Sequence, residues 1–319
     1  MHFAITGVAG YVAPRHLKAI KDTGNDVVAA HDPHDSVGIL DSFFPQAGFF
    51  TEFERFDRHL EKIRRASEQE RVQFLSICSP NNLHDAHIRL ALRIGADAIC
   101  EKPLVLNPWN LDALQKLEAE TGSRVYTILQ LRVHPALVSL RDSLMAKSGS
   151  KRHTVRLTYI TGRGQWYRYS WKGSVDRSGG LATNIGVHLF DLLIWLFGGV
   201  NKSVLQLSES DRMGGFLELK NADVEWFLSI RPEDIIPLHQ ESSAKTYRSI
   251  TIDGAEIPFS EGFTDLHTVV YRRILEKDGF GIEDARPSIE LVASLRKASV
   301  TLDDSPKHSL VLRPTNGDC

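Results

Sequence analysis

Cysteine is scarce in this chain. Three occur among 319 residues, Cys78, Cys100 and Cys319, and none belongs to a Cys-x-x-Cys pair. A disulfide framework and a zinc ribbon are therefore excluded, and a reducing compartment is implied. An excess of charge of one sign is also missing: 38 Lys and Arg stand against 40 Asp and Glu, a formal charge of −2. Neither nucleic acid nor an anionic membrane surface is an expected partner. Long apolar runs are absent as well. The candidate Leu189–Phe197 contains Asp191 and falls short of the roughly 18–20 residues that span a bilayer. The chain enters a strand pattern at once (His2-Phe3-Ala4-Ile5-Thr6), without the basic and apolar regions of a secretory leader. A cytoplasmic location is expected. No repeat or low-complexity segment is visible. His31, His34, His84 and His87 include spacings that suit zinc, but no third ligand motif accompanies them, so no metal is expected.

What is present is ordinary globular composition, 42% hydrophobic and 24% charged, over a length that predicts two domains. Up to about residue 130, short apolar strands alternate with amphipathic helices: strands at Phe3–Gly7, Asp26–Ala30, Val72–Cys78, Ala96–Cys100 and Arg124–Leu129, helices at Pro14–Thr23, Phe53–Gln69, His84–Ile94 and Asn107–Glu120. Such repeats predict a parallel sheet covered by helices, an α/β Rossmann domain over residues 1–130. Ligands of such sheets lie beyond the carboxyl ends of the strands, so the loops after them should gather on one edge. After residue 150 strands follow one another, rich in aromatic and β-branched residues: His153–Thr161, Lys202–Ser208, Gly215–Leu219, Val224–Ile230 and Arg248–Asp253. Helices are expected at Leu181–Phe197, Thr264–Glu276 and Ser288–Val300, and a loose polar tail from about Asp303. Residues 131–319 thus predict an α+β domain on an open, mostly antiparallel sheet.

Gly7-Val8-Ala9-Gly10-Tyr11-Val12-Ala13 joins the first strand to the first helix. Glycine at Gly7 permits a tight turn, and at Gly10 lets a pyrophosphate approach the helix N-terminus; Ala9, Tyr11 and Val12 complete the loop. The spacing is GxxGxxA instead of GxGxxG, and an ordinary strand–helix turn would also explain it. Asp32 follows the second strand about 20–25 residues later, where a carboxylate can accept from both ribose hydroxyls and repel a 2′-phosphate, favouring NAD over NADP. Ser79, Pro80, Asn81 and His84 after the central strand, Glu101 and Lys102 after the next, and Gln130 and Arg132 after the last are further candidates for the cofactor edge. For the Ser79–His84 group, helix capping is the alternative. Asn184, His188 and Asp191 are spaced i, i+4, i+7 and would share one face of an otherwise apolar helix, either as a buried network or as a site.

Gly7–Ala13, Glu101-Lys102-Pro103 and Gly186-Val187-His188-Leu189-Phe190-Asp191, in this order, resemble the glucose–fructose oxidoreductase / inositol dehydrogenase (Gfo/Idh/MocA) family over nearly the whole chain. The resemblance implies that Lys102 and His188 serve catalysis and that the peptide before Pro103 is often cis. It also implies that the second sheet builds oligomer interfaces; a homotetramer is favoured. Thr158–Gly164, Ser170–Gly173, Tyr247–Thr251 and Ser260–His267 look like one branch, the UDP-N-acetyl-D-glucosaminuronate 3-dehydrogenases of bacterial surface-polysaccharide (LPS O-antigen) synthesis. That branch implies oxidation at C3 of a UDP-sugar, a functional link to an aminotransferase and, in some members, reoxidation of NADH by 2-oxoglutarate. Lysine can polarise a carbonyl and imidazole can take a hydroxyl proton, and the two roles are interchangeable at this stage. Thr183, Asn184, Arg163 and Lys172 are the further substrate candidates, the two cations for the carboxylate and diphosphate. Trp166, Tyr167, Tyr169 and Trp171 could stack on the ligand or pack within the fold. Another sugar or polyol dehydrogenase, and a non-catalytic dinucleotide-binding regulator, are the alternatives.

Overall fold

The computed structural model describes residues 1–146, 152–235, 238, 245–258, 265–301 and 303–312. The strands are β1 (His2–Thr6), β2 (Asp26–His31), β3 (Gly48–Phe50), β4 (Phe74–Ile77), β5 (Asp97–Cys100), β6 (Val125–Thr127), β7 (His153–Thr161), β8 (Val200–Ser208), β9 (Arg212–Leu219), β10 (Ala222–Ser229), β11 (Thr246–Ile252) and β12 (Ala255–Glu256). The helices are α1 (Ala13–Asp22), α2 (Ile39–Phe43), α3 (Phe53–Ala66), α4 (His84–Arg93), α5 (Pro108–Thr121), α6 (Pro135–Ala146), α7 (Trp166–Tyr169), α8 (Val175–Ser178), α9 (Val187–Phe197), α10 (Leu266–Leu275) and α11 (Ile282–Lys297).

β1 to β6 form one parallel sheet in the order β3-β2-β1-β4-β5-β6. This is the doubly wound order whose direction reverses between β1 and β4, where a crevice opens beyond the strand ends. The register makes those ends level. Thr6 pairs with both His31 and Ile77, Ile77 with Cys100, and Cys100 with Thr127. The loops beginning at Gly7, Asp32, Cys78 and Glu101 therefore leave the sheet side by side, as the sequence predicts. Helix boundaries follow local chemistry. Pro14 and Pro108 occupy first turns, where the missing N–H costs nothing, and Gly122 closes α5 in the left-handed region at φ +76°. Thr23 ends α1 by donating its hydroxyl to the carbonyls of Ala19 and Ile20.

The second sheet runs β12-β11-β7-β10-β9-β8. β7 and β10 are parallel and the remaining pairs are antiparallel. Trp226 on β10 is wholly buried, with Phe190 of α9 edge-on at 5.1 Å. By length and composition Val175–Phe197 would suffice to cross a membrane, which corrects the expectation that no such segment exists; 83% of its apolar window is buried inside the protein.

Three further expectations change. A single boundary after residue 130 is replaced by two compact units: Met1–Val133 with Phe263–Arg286, and His134–Gly262 with Pro287–Cys319. α10 returns to the first unit because its apolar residues Val270, Tyr271 and Ile274 join the Rossmann core. The last helix starts at Ile282 and carries Pro287 inside it. The stretch after Asp303 is not loose over residues 303–312: His308 and Leu310 are buried, the latter among Ile160, Phe227 and Ile235. Residues 260–264 of the branch motif lie outside the described residues.

Candidate active site

In the first unit the glycine loop is shaped by close backbone approach. Gly7 sits at φ +76°, and a Cβ there would stand 2.5 Å from the backbone of Cys78 and Ser79. A Cβ on Gly10 would stand 3.0 Å from the Gly7 carbonyl. Only glycine lets the loop lie flat against the end of β4 and leave α1 exposed to a ligand. Asp32 is buried and accepts from the Ala9 N–H at 3.0 Å and the His34 N–H at 2.9 Å. Its carboxylate therefore fixes the loop as well as facing the edge. With about four lone-pair sites, it keeps room for a ribose diol. Tyr11 is 83% exposed under the Arg15 guanidinium, and Val12 packs against the core.

The loop after β4 is held from within. His84 is wholly buried, with Nδ1 2.8 Å from the Pro103 carbonyl and Nε2 2.9 Å from that of Ser79. The Ser79 hydroxyl meets His87 Nδ1 at 2.9 Å. Burial, then His84 and His31 beside it, lowers His87 to about 3. His84 thus stands between the Ser79-Pro80 and Lys102-Pro103 turns, with its ring nitrogens turned to their carbonyls. Asn81 is buried in the short turn that opens α4.

Glu101 also points inward. Its carboxylate turns into the Rossmann core and accepts from His16 at 3.0 Å and His267 at 3.1 Å. Burial alone would raise this carboxyl, but hydrogen bonds from the two histidines outweigh it and hold it well below the usual range. Lys102 follows, half-buried, and the Lys102–Pro103 peptide is cis, as the resemblance implies. The Arg132 guanidinium binds the carboxylate of Asp284 at 2.9 Å and its carbonyl at 2.8 Å, over the ring of Phe280. Gln130 keeps a ligand role open, because its Oε1 is buried with no hydrogen-bond partner among the described residues. The donor and acceptor set on this edge fits a dinucleotide.

In the second unit, Ala182–Gly186 is a π turn that leads into α9. Such turns insert a residue and re-aim side chains, often at functional sites. The regular helical face expected for Asn184, His188 and Asp191 is therefore broken. Asn184 donates to the Tyr167 hydroxyl at 2.9 Å, and Asp191 is buried. His188 is half-buried, edge-on to Tyr159 at 6.2 Å, while Arg248 covers that ring at 5.4 Å. Thr183 is fully buried, and its hydroxyl lacks a partner among the described residues.

Tyr167 also lines a cavity of about 240 Å³ with Arg163, Arg168, Asp211 and Arg231. Arg231 pairs with Glu209 at 2.6 Å and Asp211 at 2.7 Å, and Arg168 with Asp211 at 3.3 Å. Among the described residues, Arg163 is the exposed arginine of that wall with no ion pair to an acid. Lys172 lies over Trp171 at 4.4 Å and Trp166 at 5.9 Å, so the indoles hold a cation. Asp211, Arg231, His16, His267 and Tyr271 were not legible as site residues. Each is marked only by a partner distant in sequence.

The model of the oxidoreductase family's NAD-binding Rossmann fold (GFO_IDH_MocA) matches residues 1–128, and that of its C-terminal alpha/beta domain matches residues 152–238. The WlbA (WbpB) dehydrogenase from Thermus thermophilus, solved with NAD and UDP-GlcNAcA, is 51% identical; the match covers 97% of this chain and 99% of that one, with a TM-score of 0.92. A second structure of that enzyme, with NAD and alpha-ketoglutarate, matches over the same shares at a TM-score of 0.93. D-glucoside 3-dehydrogenase of Escherichia coli K12 is 23% identical over 51% of this chain, which spans 54% of that protein's length. Inositol 2-dehydrogenase of Rhizobium meliloti is 24% identical over 44% of this chain and 40% of its own length.

Proposed function

The chain belongs to the Gfo/Idh/MocA oxidoreductase family, with its NAD-binding Rossmann domain, and we propose that it oxidises the C3 hydroxyl of UDP-N-acetyl-D-glucosaminuronic acid to the 3-keto sugar nucleotide. The observation that carries this reading is the 51% identity, over 97% of the chain, to a dehydrogenase crystallised with NAD and that sugar nucleotide.

NAD, when bound, supplies the acceptor for the C3 hydrogen. Asp32 would hold it by the ribose diol and the Gly7–Gly10 loop by the pyrophosphate. His188 takes the proton of the C3 hydroxyl. Lys102, by its charge and length, would donate to a substrate oxygen and stabilise the charge that develops as a carbonyl forms. Thr183 and Asn184 orient the sugar, and Arg163 and Lys172 meet its carboxylate and diphosphate. 2-Oxoglutarate would serve as the second substrate, leaving as 2-hydroxyglutarate once it has accepted the hydride and a proton. The enzyme works in the cytoplasm as a homotetramer and feeds an aminotransferase of surface-polysaccharide (O-antigen) assembly.

The test is NADH fluorescence after purified protein is mixed with NAD and the sugar nucleotide, repeated with 2-oxoglutarate. Reduced cofactor in the first case, or sugar-dependent 2-hydroxyglutarate in the second, is expected. Lys102→Ala and His188→Ala should each lower kcat by about 10²–10⁴-fold. Protein that binds NAD yet turns over other sugars or polyols, and not this one, would reject the substrate assigned here.

A further inference from the structure

One buried polar cluster has no part in the reaction drawn above, and all of it lies in the first unit. His16 on α1, Glu101 beyond β5 and His267 on α10 converge on a single carboxylate oxygen. Their ligating atoms lie within 4.8 Å of one another, a set that by type alone could hold a metal ion. The same contacts also read as hydrogen bonds, which need no ion. Glu101 Oε1 is 3.0 Å from His16 Nε2 and 3.1 Å from His267 Nε2. An ionised carboxylate only accepts, so each imidazole contributes a proton along its line. A metal would need both Nε2 lone pairs and neither proton.

The remaining partners agree. With its proton on Nε2, neutral His16 offers Nδ1 as an acceptor, and the Tyr271 hydroxyl stands 2.7 Å away. Tyr271 in turn lies 2.7 Å from the Ser76 hydroxyl. Donation runs one way, from Ser76 through Tyr271 and His16 to Glu101, and every donor in that chain is used. The other carboxylate oxygen, Oε2, accepts the backbone N–H of Lys102 at 3.2 Å.

We propose that Glu101, locked by His16 and His267, is a positioning residue for Lys102. Its carboxylate fixes the direction in which the chain leaves β5, and so where the lysine ammonium stands. This rests on the reading of Lys102 as a catalytic group. The fixed points come from separate elements: α1, which follows the glycine loop, and α10, which returns late in the chain. The lysine root is thereby tied to the helix that carries the cofactor loop. A long side chain amplifies a small rotation at its root, and a misplacement of about 1 Å can cost about 10²-fold in rate.

The experiment compares Glu101→Gln, His267→Leu and His267→Gln in the full chain. Lysines are reductively ¹³C-methylated, and the Lys102 signal is identified by its loss in Lys102→Ala. Glu101→Gln and His267→Leu are expected to shift that signal and to lower kcat by about 10–100-fold, with the Kd for NAD changed by less than about threefold. His267→Gln keeps an N–H donor and should retain the signal and most of kcat. If His267→Leu does not fold, the contrast between Glu101→Gln and His267→Gln decides. A Lys102 signal that stays fixed in every folded variant while melting temperatures fall would reduce the cluster to a structural role and overturn the proposal. So would stoichiometric zinc in the purified protein whose removal moves the signal. The spectroscopic arm needs no substrate. A shifted signal in a protein that does not oxidise the UDP-sugar would reject the substrate and leave the positioning role standing.

Discussion

At the scale of single residues, Asp32 and Thr183 make the sharpest claims. Asp32 accepts one backbone N–H from the glycine loop and one from its own loop, and keeps lone pairs for a ribose at the strand ends. Asp32→Asn keeps the shape but turns one acceptor into a donor. We expect NAD affinity to fall by about 10–100-fold, measured by calorimetry, with a small change in melting temperature. Equal affinity in the variant would remove Asp32 from the cofactor site. Thr183 is an oxygen in search of a donor inside the second unit. Burying a hydroxyl without a partner costs about 1–3 kcal/mol, so its retention there needs a reason. Thr183→Val keeps the volume and removes the polar group. The expected result is a KM for the sugar nucleotide raised about tenfold with a melting temperature equal to or above that of the native protein. A variant that is less stable and has an unchanged KM would make Thr183 a fold residue.

At the scale of elements, the turn from β1 into α1 is the most constrained. Gly7 combines a left-handed backbone with a Cβ position already filled by the Cys78–Ser79 backbone. Gly7→Ala should cost at least about 3 kcal/mol, read as a loss in urea midpoint, because neither strand end can move without breaking the level register of the sheet. Gly24→Ala is the contrast: φ is +72° there too, but nothing lies within 4 Å, so only the smaller strain of a left-handed alanine, about 1 kcal/mol, is expected. Similar losses at the two positions would show that close approach is not what selects Gly7. The π turn before α9 makes the parallel case in the second unit, since a uniform α-helix would rotate Asn184 away from the Tyr167 hydroxyl.

At the scale of the whole molecule, buried neutral histidines set the acid limit. His308 Nδ1 accepts the Leu310 N–H at 3.2 Å, which leaves Nε2–H to donate to Thr158 at 2.8 Å. Burial first, and Arg156 second, lowers it to about 4. A histidine that is harder to protonate folded than unfolded makes the unfolded state the better proton acceptor. Stability is therefore full above the unfolded value near 6.5 and is lost as pH falls from there towards 4. His87, at about 3 in the first unit, works in the same direction. Urea unfolding should show on the order of 2–3 kcal/mol less stability at pH 4 than at pH 7 from His308 alone. His308→Gln should flatten that slope. An equal slope in the variant would assign the acid limit elsewhere.

The sequence by itself determined the alternation of strand and helix, the one sheet edge on which Gly7, Asp32, Ser79 and Lys102 gather, the change to a mostly antiparallel second sheet, and the lysine and histidine motifs. All of these are written in local periodicity or in short runs, because the pattern of burial within one element depends on that element's own residues. Only the tertiary structure decided what the polar side chains near those motifs do. Glu101 finds partners 85 and 166 residues away, and Arg132 finds Asp284 at a separation of 152. His84 turns inward to two carbonyls. The tail that reads as loose supplies Leu310 to a core. Which faces meet is fixed by sheet order and by the return of α10 to the first unit, and neither leaves a mark in the spacing of neighbouring residues. A buried polar group must be satisfied by whatever those faces bring within about 3 Å, so its role is set by the assembled fold and not by its place in a motif.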